Sequence, residues 1–67
     1  MELIVSETTN TAELIGSVFS DEHGDRFTIL SADHAPALNA LAYGARSEGA
    51  GGYLFAALAP YGKTLKG

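Results

Sequence analysis

Cysteine does not occur in this chain, so neither a disulfide nor a thiolate-held zinc can staple it. Basic residues are scarce: four Lys and Arg stand against eight Asp and Glu, a net charge of −4. A protein so poor in cations has little with which to hold a phosphate backbone. Long apolar runs are missing too. The longest, Tyr53 to Pro60, falls far short of the roughly 20 residues a membrane helix needs. Length itself is limited. Sixty-seven residues exclude a dinucleotide-binding fold, a TIM barrel or a kinase lobe. A chain of this size buries only roughly 60% of the surface its unfolded form exposes. What remains, 46% hydrophobic and 18% charged residues, is the composition of a folded domain. A single domain over residues 1–67 is expected. Met1-Glu2 is acidic where a signal peptide needs a basic region, and Leu3-Ile4-Val5 is too short for its apolar core. The expected setting is cytoplasmic, without a membrane partner.

The charges are unevenly placed. Residues 1–33 hold seven acids against Arg26 alone, whereas residues 34–67 hold Arg46, Lys63 and Lys66 against Glu48. An acidic half is repelled by nucleic acid and attracted to basic surfaces, including those built to hold nucleic acid.

Local patterns predict the elements. Leu3-Ile4-Val5 marks a strand over 2–7, ended by Thr8-Thr9-Asn10. Residues 12–20 and 26–31 read as two further strands joined through Asp21-Glu22-His23-Gly24-Asp25, with Gly24 free to take the positive φ that a short hairpin loop requires. A three-residue loop would set Phe19 opposite Phe27 but also Asp21 opposite Asp25. A four-residue loop avoids the like-charge pair and separates the rings. Each term is about 0.2–1 kcal/mol, too close to choose. In either register both hairpin faces carry large apolar side chains.

Asp33 or Ser31 then reads as a helix N-cap, with Pro36 in the first turn. Leu38, Leu41, Ala42 and Ala45 follow at helical spacing, which predicts a helix from His34 to about Arg46. On that helix Asn39, Tyr43 and Arg46 would share a second face. Gly49 to Gly52 reads as a flexible connection. Residues 53–59 suit a helix by their Ala and Leu. Their length, their glycine flank and the Pro60-Tyr61-Gly62 that follows favour a buried strand. Residues 63–67 read as a tail. The expected fold is therefore α+β, a small antiparallel sheet in the order β-β-β-α-β with one helix packed on one face.

Motifs for chemistry are weak. Gly62-Lys63-Thr64 resembles the end of a P-loop, but no room is left in this sequence for the helix that would present its amides to phosphate. The acids and His23 around Gly24 lack the twelve-residue frame of an EF-hand, and a hairpin tip rich in Asp and Gly is ordinary turn chemistry. Two histidines, one expected on a loop tip and one at a helix start, do not make a catalytic constellation. The expectation is a non-enzymatic protein with no cofactor, metal or catalytic residue.

What remains is a binding surface. Glu13, Asp21, Glu22 and Asp25 form the expected acidic contact face. Asn39, Tyr43 and Arg46 form a second patch, in which an aromatic lies beside an arginine. The concrete reading is a small acidic inhibitor that covers a basic surface of a protein partner such as a nucleic-acid-binding complex. Anti-CRISPR-type proteins offer a parallel in size and charge alone. The alternative is a homodimeric structural or regulatory module that buries its own exposed sheet face. A second alternative is a weak RNA- or DNA-binding domain in which Phe and Tyr supply stacking.

Overall fold

Two long strands organise the chain. The computed structural model describes residues 2–49 and 51–67. The elements are β1 (Glu2–Ile4), α1 (Thr11–Leu14), β2 (Val18–Ser20), β3 (Arg26–Ala35), a single 3-10 turn (Pro36–Leu38), β4 (Ala40–Ser47), β5 (Leu54–Pro60) and β6 (Thr64–Lys66). All six strands join one antiparallel sheet in the order β1-β6-β2-β3-β4-β5. This replaces the expected β-β-β-α-β arrangement. The helix predicted from His34 to Arg46 does not form, and the only α-helix among the described residues is the four-residue α1.

The reason lies at two positions. At Leu30 the β3–β4 register shifts, because Ile29 pairs with Ala45 and Ser31 with Gly44. The extra residue changes which parity faces inward. Phe27 and Ile29 are buried before it, Ala32 after it, and Leu30 itself is exposed. A strict period-two pattern therefore breaks at Leu30, one residue before the expected strand end at Ser31, although the strand continues to Ala35. At Asn39 the backbone turns left-handed, φ 50 and ψ 45, a conformation that asparagine tolerates better than most residues. Its N–H bonds to the Pro36 carbonyl at 3.0 Å. The chain reverses there and sets Ala40 opposite Ala35. The spacing of Leu38, Leu41, Ala42 and Ala45 competes with a second pattern in the same residues. Leu41, Tyr43, Ala45 and Ser47 alternate, and all are buried. Pairing with strands on both sides selects the second.

The hairpin of β2 and β3 takes the three-residue loop, with Phe19 opposite Phe27 and Ser20 opposite Arg26. Gly24 has φ 83. Asp21 and Asp25 do lie opposite each other, and the Asp21 N–H bonds to the Asp25 carbonyl at 2.8 Å. The Asp21 carboxylate turns into the loop, accepting from the N–H groups of His23 and Asp25, each at 2.9 Å. That local use of one carboxylate relieves the like-charge pairing.

The segment expected as a strand over 12–20 divides. Asn10 caps α1 by accepting from the Ala12 N–H at 3.0 Å, and Leu14 plugs the core while Ile15 is exposed. Only Val18–Ser20 pair in the sheet. The first strand is also shorter than the expected 2–7. Residues 63–67, expected as a tail, contribute β6, which runs between β1 and β2. Gly62, at φ 98, gives the turn that starts it. Val5 accepts from the Gly62 N–H at 2.7 Å and donates to the Lys63 carbonyl at 2.8 Å. The segment after Gly52 is a strand, but not the buried one expected: of Leu54–Pro60 only Ala59 is buried.

The core lies along the inner face of the sheet. Phe27 sits at its aromatic centre, its ring centroid 6.3 Å from Phe19, 5.9 Å from Tyr43 and 5.7 Å from Phe55. Val5, Ile29, Leu41 and Ala59 are fully buried beside it. Burial of this kind is the main stabilising term in a domain without covalent staples.

Candidate functional site

The register gathers acids that are distant in sequence. Glu2 pairs with Lys66, Lys66 with Ser20, and Ser20 with Arg26. The Glu48 N–H bonds to the Arg26 carbonyl at 2.9 Å. Glu2, Lys66, Arg26 and Glu48 thus lie along one row at the end of the sheet that carries the β2–β3 loop. Within the row each base has an acidic neighbour. Arg26 Nε is 3.8 Å from Glu48 Oε2, and Lys66 stands opposite Glu2. Asp21, Glu22 and Asp25 belong to the loop that follows this row. All three residues are exposed, and none forms an ion pair among the described residues. Asp21 is held by the loop amides, so the freest carboxylates are Glu22 and Asp25.

Sequence reasoning identified these three residues and counted Glu2 among the exposed acids; that Glu2 and Glu48 share one row depends on pairing between remote strands. Glu13 lies elsewhere, exposed on α1, and borders a shallow hollow with Glu2 and Phe19. The second expected patch is not assembled. Tyr43 is buried on the inner face of β4, 9% exposed and stacked on Phe27. Arg46 is exposed on the outer face of the same strand, because residues three apart in a strand point to opposite sides. Asn39 occupies the turn before β4.

A groove of about 440 Å³ opens between β5 and β6. Phe27 and Tyr43 form its floor, Asp21 and Glu22 line one rim, and Lys63 and Lys66 line another. Burial raises the Tyr43 phenol above its usual value of 10.0, and the negative charge of Asp21 adds to the rise. The phenol is therefore neutral at physiological pH.

At the opposite end, His34 joins three segments. Its Nε2 is 2.8 Å from the Thr9 carbonyl and its Nδ1 is 2.8 Å from the Tyr61 hydroxyl. A carbonyl only accepts, so Nε2 carries the proton, and in the neutral ring Nδ1 accepts from Tyr61. The Tyr61 N–H also bonds to the Asn39 carbonyl at 2.8 Å. His34 was expected at a helix start. It is a half-buried clasp between β3, the loop before α1 and the turn before β6. Both ring nitrogens are engaged, which suits positioning rather than proton transfer to a substrate. Lys63, the lysine of the P-loop-like sequence, lies in a turn between strands rather than at a helix N-terminus. Among the described residues no group of three His, Cys, Asp or Glu side chains is placed to hold a metal ion. Among the described residues no helix is long and apolar enough to cross a membrane.

No protein-family model, curated protein or solved structure matches the chain.

The feature that sequence reasoning missed is that β5 is an edge strand with outward leucines. Leu54 and Leu58 of β5 are 69% and 51% exposed, and among the described residues β5 pairs on one side only, with β4. The signal was present in the uncharged alternation of residues 53–59. Which side chains lie outward, and that one edge stays open, depends on the sheet order.

Proposed function

We propose that this chain is a non-enzymatic protein-binding domain whose acidic hairpin tip covers a basic surface on a partner, such as the nucleic-acid-binding surface of a larger complex. The observation that carries this reading is the set of exposed carboxylates at the tip. Arg26 and Lys66 have acidic neighbours within the sheet row, while Asp21, Glu22 and Asp25 make no ion pair among the described residues. The loop that presents them is fixed by the Asp21 bonds to His23 and Asp25, so little ordering entropy is lost on docking. Charges presented in this way steer association and confer salt sensitivity. The setting we propose is cytoplasmic, in keeping with a fold that uses no cysteine.

The test compares wild type with the double substitution Glu22→Lys and Asp25→Lys, both immobilised and exposed to host lysate at low and high salt. Asp21 is left unchanged because it holds the loop. Wild type is expected to retain proteins with basic surfaces at low salt and release them at high salt, and the variant to lose them at both. Retention of the same proteins by the folded variant would overturn the reading and leave the acids as solubilising charge.

A further inference from the structure

The β5 edge supports a conclusion independent of the acidic tip. The Tyr61 N–H bonds to the Asn39 carbonyl and the Ser47 N–H to the Tyr53 carbonyl, so residues 53 and 61 turn their backbone groups toward β4. Antiparallel strands alternate this direction residue by residue. Residues 55, 57 and 59 therefore face β4, and residues 54, 56, 58 and 60 turn their N–H and C=O groups away from it. Pro60 falls in the outward class, where its missing N–H removes no bond to β4. Leu54, Ala56 and Leu58 each present an unpaired donor and acceptor, with no bond to another strand among the described residues.

Natural sheets guard such edges with charge, bulges, prolines on the edge or short strands. The other edge of this sheet has that protection, since β1 is three residues long and includes Glu2. The β5 edge has only Pro60, at its last residue. It is seven residues long, without a register break, and no charged residue occurs between Gly49 and Gly62.

We propose that β5 is a homodimerisation edge, occupied by β5 of a second copy in antiparallel orientation about a two-fold axis at Ala56. This register sets Leu54 opposite the partner's Leu58 and Ala56 opposite the partner's Ala56. The three outward donors and three outward acceptors of each copy satisfy one another, and the two sheets become continuous. The apolar outer side chains of Leu54 and Leu58 meet across the seam.

Charge placement favours this occupant. Leu54 lies toward the acidic end of the sheet and Leu58 toward the other, so the two-fold sends the acidic tips of two −4 chains to opposite ends of the joint sheet. An uncharged edge also gives nothing for a charged partner strand to select. Size sets the strength. Seven residues span about 23 Å, and a seam one strand wide lies at or below the roughly 1,200 Å² lower bound of standard stable interfaces. The dimer is therefore expected to be weak and to form as concentration rises. The β5 seam leaves both acidic tips exposed, so the dimer would present two of them.

Sedimentation equilibrium of the full chain across micromolar to millimolar concentration tests this. Wild type should move from 7.0 kDa to twice that mass, equally or more readily at high salt. Leu58→Lys, which sets a cation opposite the partner's Leu54, should raise the dissociation constant at least tenfold with an unchanged circular dichroism spectrum. Leu30→Lys, an exposed change on β3 away from the seam, should leave it unaltered. Amide exchange adds a readout of location, because the Leu54, Ala56 and Leu58 amides should slow as concentration rises. A 7.0 kDa mass at every concentration would overturn the proposal. So would undiminished association of Leu58→Lys, or loss of association in Leu30→Lys.

Discussion

Replacing Asn39 by glycine and, separately, by alanine distinguishes the hairpin from the helix that the spacing of Leu38, Leu41, Ala42 and Ala45 suggests. Asn39 has φ 50 and ψ 45. Its structural bonds use the backbone: its N–H donates to Pro36, and its carbonyl accepts from Tyr61. Both survive a side-chain change. In a left-handed position, a Cβ on a residue without asparagine's local hydrogen bonding costs about 1–2 kcal/mol. Glycine avoids that cost but loses about 0.5–1 kcal/mol more chain entropy on folding. The glycine variant should therefore be more stable than the alanine variant by up to about 1.5 kcal/mol, with a central value of about 0.75 kcal/mol. In a helix interior the order reverses, with alanine favoured by about 0.8–1.0 kcal/mol. The two structures thus differ in sign, with a gap near 2 kcal/mol. Total stability for a domain of this size is about 3–10 kcal/mol, and 1 kcal/mol moves the melting temperature by roughly 4–8 °C. Urea unfolding followed by circular dichroism resolves such differences. An alanine variant more stable than the glycine variant would refute the left-handed turn at Asn39 and the pairing of β3 with β4 that depends on it.

Further tests address the remaining features. The Tyr43 phenol is raised above 10.0, first by burial and then by Asp21. A group raised in the folded state contributes fully below its unfolded value, and that contribution is lost as pH climbs toward the folded one. Wild type should lose stability from about pH 10 upward more than Tyr43→Phe does, and tyrosinate absorbance should show a late-titrating phenol absent from the variant. Equal alkaline loss in both would contradict the buried placement. At the other end of the sheet, Tyr61→Phe removes the hydroxyl bonded to His34 and should cost about 1 kcal/mol. Imidazole nitrogen shifts of wild type should report the Nε2–H tautomer, and a protonated Nδ1 in the neutral ring would reverse the bond directions assigned here.

The residues of the β2–β3 hairpin determine its existence by themselves. Gly24 supplies the left-handed position, Asp21 closes the loop through its own carboxylate, and the alternation on either side marks the strands. The strand after Gly52 was equally legible, since glycine and proline flank a short apolar run. These features rest on contacts among neighbours in sequence, and local composition encodes such contacts directly. The acidic tip was legible as residues for the same reason. The register of the hairpin was not, because ring pairing and carboxylate repulsion nearly balance until the Asp21 carboxylate is seen turned into the loop. From His34 to Arg46 two periods overlap, and a helix would satisfy one of them locally. Only tertiary structure decided between them, because β4 gains partners on both sides when it extends, and the shift at Leu30 and the reversal at Asn39 make that pairing reachable. Thr64–Lys66 likewise carries little strand signal of its own and becomes a strand by lying between β1 and β2. The convergence of Glu2 and Glu48 with the tip, the inward turn of Tyr43 away from Arg46 and the open edge of β5 all follow from strand order. Strand order is a property of the whole chain, because backbone hydrogen bonds between distant segments set it and no single window of sequence contains both partners.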